Sequence, residues 1–249
     1  MGDAESALWL SEAFAAMAEA LHGQPSRDQV LQEITELAAT TADGAQYAGV
    51  TLLRRGKPLE SPAYTHPLVP AVDLAQTETG EGPCIPNPDS DRGLAEPVVR
   101  IEDMSAERRW PRFACEAARL GVASMLSCRL VEERDVSGRL NLLAAEPGAF
   151  GVETAKTMAV LATHAAMALS AATAIENLSN AVASRQVIGE ATGILMERHR
   201  VTSREAFGML VRASQSLNVK LREIALHVVS TGQNPAELGP ADFAGAARP

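Results

Sequence analysis

The strongest constraint on the fold of this chain is a helical pattern that runs from Val152 to Gly189 with almost no helix-breaking residue. Small and apolar side chains recur along it at steps of three and four, and two successive steps of three form the stammer that overwinds a coiled coil. We predict a connecting coiled-coil helix over residues 152–184 that pairs with its copy in a second subunit, which makes the protein a homodimer. The alternative is a single amphipathic helix packed on its own domain. The predicted seam consists of Met158, Leu161, Ala165, Ala168, Ala172, Ile175, Leu178 and Val182.

Before this helix, the pattern is that of an α+β domain, which we place at residues 1–151. Helical spacing occupies residues 4–22 and 26–38, and a further helix is predicted over 111–120. A stretch rich in Gly, Pro, Asp and Asn between residues 80 and 93 predicts a long loop, and such loops are often functional. The order of elements favours an antiparallel sheet with its flanking helices on one side. The predicted strands lie near residues 47–53, 59–65, 98–101, 124–131 and 140–145.

After the long helix, residues 185–231 contain three short helical patterns and no strand pattern, which predicts a three-helix bundle. Thr202 or Ser203 is the expected N-cap of the second helix, because hydroxyl side chains accept hydrogen bonds from the first free backbone N–H groups. The last residues, 232–249, are rich in Gly, Pro, Asn and Asp, and we expect them to form a flexible tail.

The charge of the chain is distributed unevenly. The 249 residues contain 22 Lys and Arg against 31 Asp and Glu, a net charge of −9. Residues 184–230 contain seven Lys and Arg and four Asp and Glu, a local balance of +3, so the rest of the chain carries −12. An acidic body with a basic C-terminal module is the asymmetry expected when one part alone contacts nucleic acid.

Other features bear on location and chemistry. We find no signal-peptide pattern and no run of the roughly 18 to 20 apolar residues that a spanning helix needs, so we expect a cytoplasmic protein without a membrane partner. The three cysteines and five histidines lack the spacing of a disulfide framework or metal site. No nucleophile–base motif or phosphate-binding motif is present, and we predict neither catalytic residues nor metal ligands.

The sequence of the C-terminal module resembles a known domain over residues 178–231. Residues 184–198 (SRQVIGEATGILMER) look like the opening of the ANTAR domain, which is named after the AmiR and NasR transcription antitermination regulators. The resemblance implies a three-helix domain that binds tandem RNA stem-loops, disfavours terminator formation and usually acts as a dimer. One departure is Thr192, where many members of the family carry Lys. The match continues through Ala206-Phe207, Leu210, Arg212, Ser214-Gln215, Asn218, Lys220-Leu221 and Ala225.

The candidate RNA contacts follow from this resemblance and from the position of hydrogen-bond donors. Donors cluster around the turn between the second and third helices, which suits phosphates and exposed loop bases. Apolar residues of the same segment, including Leu195, Met196 and Phe207, are expected to form the core. The predicted RNA-binding residues are Arg185, Ala191, Thr192, Gly193, Arg198, Arg212, Ser214, Gln215, Asn218, Lys220 and Arg222.

The first domain resembles a GAF domain over about residues 27–172. The resemblance rests on GEGPC at 80–84, Arg109-Trp110-Pro111, GVASML at 121–126 and GRLNL at 138–142. It implies a sensor that holds a small molecule between the sheet and a long loop, with a ligand that varies between members and a cofactor that stays unknown. The predicted pocket residues are Gly80, Glu81, Gly82, Cys84 and Asn141.

We therefore hypothesise an RNA-binding antitermination regulator that is not an enzyme and whose GAF domain senses a small ligand or a redox state. The thiol of Cys84 is either a buried side chain or a redox or attachment site. One alternative is a DNA-binding transcriptional regulator, although the third helix is mostly apolar. A second is a GAF-fold, thiol-dependent enzyme, which requires its cysteines to converge in one pocket.

Overall fold

The computed structural model describes residues 26–86, 96–133 and 136–243, so the predicted helix over 4–22 lies outside the described residues. The chain divides into two compact units, Met1–Ala174 and Ile175–Pro249. Among the described residues, eight elements precede the long helix: α1 (Arg27–Thr41), β1 (Tyr47–Arg54), β2 (Glu60–Tyr64), α2 (Leu68–Thr79), β3 (Val98–Ile101), α3 (Pro111–Arg119), β4 (Ser124–Glu133) and β5 (Val136–Ala144).

The strands of the first unit form one antiparallel sheet in the order β2-β1-β5-β4-β3. β5 lies at the centre, where Asn141 is opposite both Gly49 on β1 and Ser127 on β4. Because side chains alternate along a strand, each of the central strands presents one set of residues to each face of the sheet. The register therefore places Thr51, Ser127 and Asn141 on the same face.

Helices cover both faces of this sheet. α1 and the beginning of the long helix pack on one face, with Ile34, Leu140 and Met158 in their common core. α2 and α3 pack on the other face, where Phe113 and Met125 are buried. The prediction of helices on one side is therefore wrong. It failed because the sequence pattern did not indicate α2, whose first turn contains a proline that the first turn of a helix tolerates.

The second unit contains the end of the long helix α4 (Val152–His199), then α5 (Ser203–Leu217) and α6 (Leu221–Thr231). Thr202 begins α5 with a capping box, in which its side chain accepts a hydrogen bond from Glu205 N and the Glu205 carboxylate accepts one from Thr202 N. Asn218 ends α5 in the left-handed conformation, with φ of 52°. The core of this unit includes Ala191, Leu195, Ala206, Leu210, Ala213, Ile224, Ala225 and Val228.

The predicted flexible tail is wrong for its described part. Residues 232–243 contain two short 3-10 helices, Pro235–Glu237 and Pro240–Phe243. Leu238 between them joins the core of the second unit, and the Asn234 side chain caps the first of them. Apolar contacts of Pro235, Leu238 and Phe243 and one cap therefore hold a segment whose Gly and Pro content predicted a tail.

The predicted coiled-coil seam of α4 is partly an internal surface. Met158, Leu161, Ala165, Ala168 and Ala172 are buried against the sheet of their own domain, which is the alternative stated above. By length and composition alone, α4 is apolar enough to cross a membrane, a property that core helices of domains share. The first half of α4 is such a core helix, because it is buried against the sheet.

Candidate functional site

A buried hydrogen-bond network lies on the face of the sheet that α2 covers, and Asp73 on α2 is one end of it. The Asp73 Oδ2 atom accepts hydrogen bonds from Thr51 Oγ1 at 2.6 Å and from Ser61 Oγ at 2.7 Å. Its Oδ1 atom accepts one from Gln76 Nε2 at 3.0 Å. Burial raises the pKa of Asp73 to about 6 against the opposing effect of these three hydrogen bonds.

The other end of the network is the guanidinium of Arg139, which is 1% exposed. Arg139 Nε donates to Ser127 Oγ at 2.7 Å, and Ser127 Oγ donates to Asn141 Oδ1 at 2.5 Å. Asn141 Nδ2 donates to Thr51 Oγ1 at 2.7 Å, and Thr51 in turn donates to Asp73. The donors in this series of hydrogen bonds therefore all point in one direction, from the Arg139 guanidinium toward the Asp73 carboxylate, and such aligned bonds polarise one another.

Two further contacts connect this network to the segment that follows α2. Gln76 Oε1 accepts a hydrogen bond from Cys84 N at 2.9 Å, and Asn141 Nδ2 lies 3.3 Å from Cys84 Sγ. Arg139 Nη1 also donates to the carbonyl of Glu96 at 3.0 Å. We call the eight residues joined in this way the sheet network: Thr51, Ser61, Asp73, Gln76, Cys84, Ser127, Arg139 and Asn141.

The two glycines of the predicted pocket have conformational roles. Gly80 ends α2 with a φ of 67°, and its N–H donates to Gln76 O. Gly82 has a φ of 133°, and a Cβ atom there would lie 2.4 Å from Gln76 Oε1. Because only glycine fits both the conformation and the space at position 82, the backbone can pass close to Gln76 and deliver Cys84 N to it.

Glu81 contacts α3 instead of the sheet network. Its carboxylate accepts hydrogen bonds from Arg112 Nε and from Arg112 N, each at 2.8 Å. Burial opposes its ionisation, but the hydrogen bonds from Arg112 and the backbone keep the pKa of Glu81 below its ordinary value. The carboxylate therefore neutralises the positive end of α3.

Of the five predicted pocket residues, the structure brings two into direct contact, Cys84 and Asn141. Most of the sheet network was not predicted. Ser127 and Arg139 carry the signal that could have found them, since they are polar residues at alternating positions of otherwise apolar strands. Asp73 had no such signal, because the helix that presents it was not predicted.

The thiols do not form a convergent redox site. Cys84 is 2% exposed, and burial together with the nearby Asp73 carboxylate raises its pKa to about 11. Cys128 belongs to the core on the opposite face of the sheet, and Cys115 is exposed on α3. Since the thiolate is the reactive form and the three thiols are separated, the requirement of the thiol-dependent enzyme alternative is not met.

In the second unit, the predicted RNA-binding residues divide into exposed and buried groups. Ala191 is completely buried in the core, and Thr192 is 7% exposed with its hydroxyl donating to Ile188 O at 2.6 Å. Ser214 is partly buried and donates to Val219 O at 2.6 Å. Ala191 and Thr192 therefore take part in the packing of this unit, and their contact with RNA stays a prediction. The exposed members are Arg185, Gly193, Arg198, Arg212, Gln215, Asn218, Lys220 and Arg222.

The exposed cations of this unit are mostly not neutralised by neighbours. In the first unit, arginines such as Arg54 and Arg119 form ion pairs, with Glu60 at 3.1 Å and Glu116 at 2.9 Å respectively. In the part of the second unit that the structure describes, one ion pair is present, between Arg200 and Glu197. The side chains of five cations there form neither an ion pair nor a hydrogen bond among the described residues: Arg185, Arg204, Arg212, Lys220 and Arg222.

These cations occupy different positions along the bundle. Arg198 lies near the end of α4, where Arg198 Nη1 donates to Gly232 O at 2.5 Å. Arg204 and Arg212 lie on α5, and Lys220 and Arg222 lie at the start of α6.

Two residues predicted to be core are instead exposed. Met196 is 37% exposed and Phe207 is 43% exposed, and neither packs against the core of the second unit. Within the described residues, no group of three or more His, Cys, Asp or Glu side chains is arranged to hold a metal ion.

Comparisons with known proteins agree with the division of the chain into two units. The sequence model of the GAF domain family matches residues 24–170, and that of the ANTAR domain family matches residues 176–229. No curated protein matches the chain.

Solved structures resemble the fold at low sequence identity. The photosensory core module of the Stigmatella aurantiaca phytochrome is 11% identical with a TM-score of 0.59, over 87% of this chain and 46% of that one. The bacteriophytochrome RpBphP3 from R. palustris is 12% identical with a TM-score of 0.59, over 86% and 47%. Its chromophore-binding domain is 9% identical with a TM-score of 0.51, over 67% and 63%. This chain thus spans less than two thirds of each of these structures, and the likeness concerns the fold alone.

Proposed function

We propose that this chain, which belongs to the GAF domain family and continues into an ANTAR domain, is a signal-responsive RNA-binding regulator of transcription antitermination. The observation that carries the proposal is α4, a single helix that supplies Met158 and Leu161 to the core of the sensor domain and Ala191 and Leu195 to that of the ANTAR domain. A signal that changes how the sheet holds α4 thereby changes the helix on which the output domain is built.

RNA is the output ligand that the ANTAR domain favours. Five of its cations, whose side chains form neither an ion pair nor a hydrogen bond among the described residues, are available for phosphates, whereas the remainder of the chain is acidic and repels a polyanion. Binding is therefore expected to concentrate on the second unit. The target that the family favours is a pair of tandem stem-loops in a transcript.

A homodimer would present two ANTAR domains to two stem-loops. The buried seam of α4 leaves a second stripe at positions 160, 164, 167, 171, 174 and 178, which follow the alternating steps of four and three of a coiled coil. Position 164 is half-buried and the other five are exposed. Its large apolar members Val160, Met167 and Leu178 are 41%, 66% and 68% exposed. We propose that this stripe, in place of the buried part of the predicted seam, pairs with its copy in a second subunit.

We propose that the sheet network is the site at which the GAF domain receives a small polar ligand. A ligand able to exchange hydrogen bonds with Asp73, Asn141 or Arg139 would reorganise the chain of donors that these residues form. A small molecule is favoured over a redox signal, because the Cys84 thiol is buried and protonated. The protein is proposed to act in the cytoplasm.

The test is RNA binding by the full-length protein, with a two-stem-loop RNA, a single stem-loop and a duplex DNA as ligands at two salt concentrations. Preference for the two-stem-loop RNA supports the proposal. Equal binding to all three that collapses with salt would reduce the ANTAR domain to a basic surface and favour the DNA-binding alternative. No binding by the full-length protein or by the fragment 178–231 would contradict RNA regulation.

A further inference from the structure

One face of α5 combines cations with an exposed aromatic ring. Ala206, Leu210 and Ala213 form the buried side of this helix, so the opposite side is its solvent face. Residues on that side recur at steps of three and four, which places them next to one another on the helix surface. We call this surface the α5 face: Arg204, Phe207, Gly208, Val211, Arg212 and Gln215.

Phe207, at 43%, is the most exposed of the described phenylalanines. Phe113 and Phe150 are buried in the first unit, and Phe243 packs against the core of the second. Tyr64 is similarly exposed at 42%, but its hydroxyl can be hydrated. Phe207 therefore presents part of an aromatic ring, which has no polar atom, to solvent.

The charges around this ring favour a polyanion. Arg204 and Arg212 are exposed on either side of it, roughly 12 Å apart along the helix, and neither has an ion pair in the described part of the chain. Gly208 lies between them, and a Cβ atom at Gly208 would be 3.3 Å from Arg212 Nη1. The guanidinium of Arg212 thus extends along the helix toward the middle of the face.

The single acidic residue of α5, Glu205, is engaged at the N-terminus of the helix. The Glu205 carboxylate accepts hydrogen bonds from Thr202 N at 2.8 Å and from Thr202 Oγ1 at 2.7 Å. These bonds lower its pKa. The α5 face therefore contains two cations, an amide and an aromatic ring, and the carboxylate that borders it is held by the helix cap.

We propose that the α5 face is an RNA-binding surface, on which Phe207 stacks against an unpaired loop base while Arg204 and Arg212 contact the flanking phosphates. This inference rests on the proposed RNA-binding function and names residues beyond the predicted contacts. Aromatic side chains and arginines are the groups that recognise splayed-out bases in RNA loops, because a base has a π-face whatever its identity.

The stacking contact is tested in the full-length protein with the two-stem-loop RNA. Phe207→Ala is expected to weaken binding about 10-fold, and Phe207→Trp is expected to retain it. Leu226→Ala is the matched control, because Leu226 is a 52% exposed apolar residue on α6, outside the α5 face. The melting temperature of each variant shows whether the substitution leaves folding intact.

Replacing loop bases by abasic sites identifies the stacked base. When the stacked base is the one removed, the wild-type protein is expected to bind the abasic RNA about as weakly as Phe207→Ala binds the intact RNA. Phe207→Ala is expected to bind this abasic RNA no more weakly still, because both changes remove the same contact. Emission from Phe207→Trp is expected to be quenched by the intact loop and not by that abasic loop. A loss in Phe207→Ala that is the same for intact and abasic loops would contradict stacking.

The arginines are tested by salt dependence. Arg204→Ala combined with Arg212→Ala is expected to reduce the slope of log affinity against log salt by about 1.4 to 1.8, as two lost phosphate contacts require. Arg55→Ala combined with Lys57→Ala removes two exposed cations from the first domain and is expected to leave the slope unchanged. If the wild-type protein binds the RNA and both Phe207→Ala and the double arginine variant bind it equally well, the inference is overturned and the proposed function stands. No RNA binding by the wild-type protein would overturn both.

Discussion

Asp73 and Arg139 are opposite charges buried at the two ends of one hydrogen-bond chain in the sensor domain. A buried charge is unfavourable unless its hydrogen bonds are made, and removing one partner leaves a costly unpaired atom. Here Ser127, Asn141 and Thr51 make those bonds, each donating to the next. A ligand or substitution at any one of these residues is therefore expected to affect the others.

The ionisation of Asp73 gives a pH-dependent prediction for stability. Its folded-state pKa is about 6, above the ordinary value of 3.8, so its stabilising protonated form is complete below pH 3.8 and is lost as pH rises through 6. Asp73→Asn removes this pH-dependent contribution to stability. Between pH 4 and pH 7 the wild type loses it and the variant does not, so the free energy of unfolding of the variant minus that of the wild type is expected to increase, by at most about 3 kcal/mol. Urea denaturation at both pH values measures it, and an equal difference at both would contradict the assigned ionisation.

The three thiols are expected to react at different rates. Cys84 and Cys128 are buried and have raised pKa values of about 11 and about 12, whereas Cys115 is exposed. A thiol reagent at pH 8 should therefore modify one cysteine quickly in the native protein and all three after unfolding. Cys115→Ser should remove the fast reaction. If a fast reaction persists in that variant, Cys84 or Cys128 is accessible and a redox signal regains support.

At the scale of elements, the turn after α2 determines whether Cys84 N reaches Gln76 in the sheet network. Gly80 and Gly82 both have positive φ, but they differ in the space available to a side chain. Nothing lies within 4 Å of a Cβ atom at Gly80, whereas one at Gly82 would overlap the Gln76 side chain. The second glycine is therefore required both by backbone conformation and by the close approach of Gln76.

Alanine substitution separates these two requirements. Gly80→Ala is expected to cost about 1 kcal/mol, which is the strain of a left-handed alanine. Gly82→Ala is expected to cost more, roughly 2 to 4 kcal/mol, because it also displaces Gln76 from Asp73 and from Cys84 N. The free energy of unfolding from urea denaturation gives both values. Equal costs would show that Gln76 moves aside without loss.

Part of this architecture could be predicted from the sequence, and the reason for each failure is local. The periodicity of α4, α5 and α6 and the cap at Thr202 predicted helices that the structure contains. α2 was missed because its prolines resemble those of a loop. The burial of Met196 and Phe207 was predicted wrongly, since a helical pattern of apolar residues does not say how wide the covered stripe is.

At the scale of the whole molecule, the proposed dimer would decide how the protein meets the proposed RNA. Two linked ANTAR domains would bind two stem-loops more tightly than one domain would, because the second contact would be intramolecular. The α4 stripe is the proposed pairing surface, and Leu178 is its most exposed large apolar member among the described residues, at 68%.

A charge on this stripe is expected to separate the subunits. Met167→Asp combined with Leu178→Asp should give a monomer in sedimentation analysis and lower affinity for the two-stem-loop RNA at least 10-fold, with affinity for a single stem-loop unchanged. Val152→Asp is the control, because Val152 is 55% exposed at the start of α4 and lies outside the stripe. A double variant that remains dimeric would show that another surface holds the subunits together.

The sequence by itself determined the order of the domains, the helical character of residues 152–231 and the motifs that resemble GAF and ANTAR domains, because periodicity and short-range spacing are properties of neighbouring residues. Only the tertiary structure decided which side of α4 is buried and which side is exposed. It also brought Asn141 to Thr51 across 90 positions of the chain. Such contacts depend on strand register and on which helix covers which face, and no local pattern encodes either.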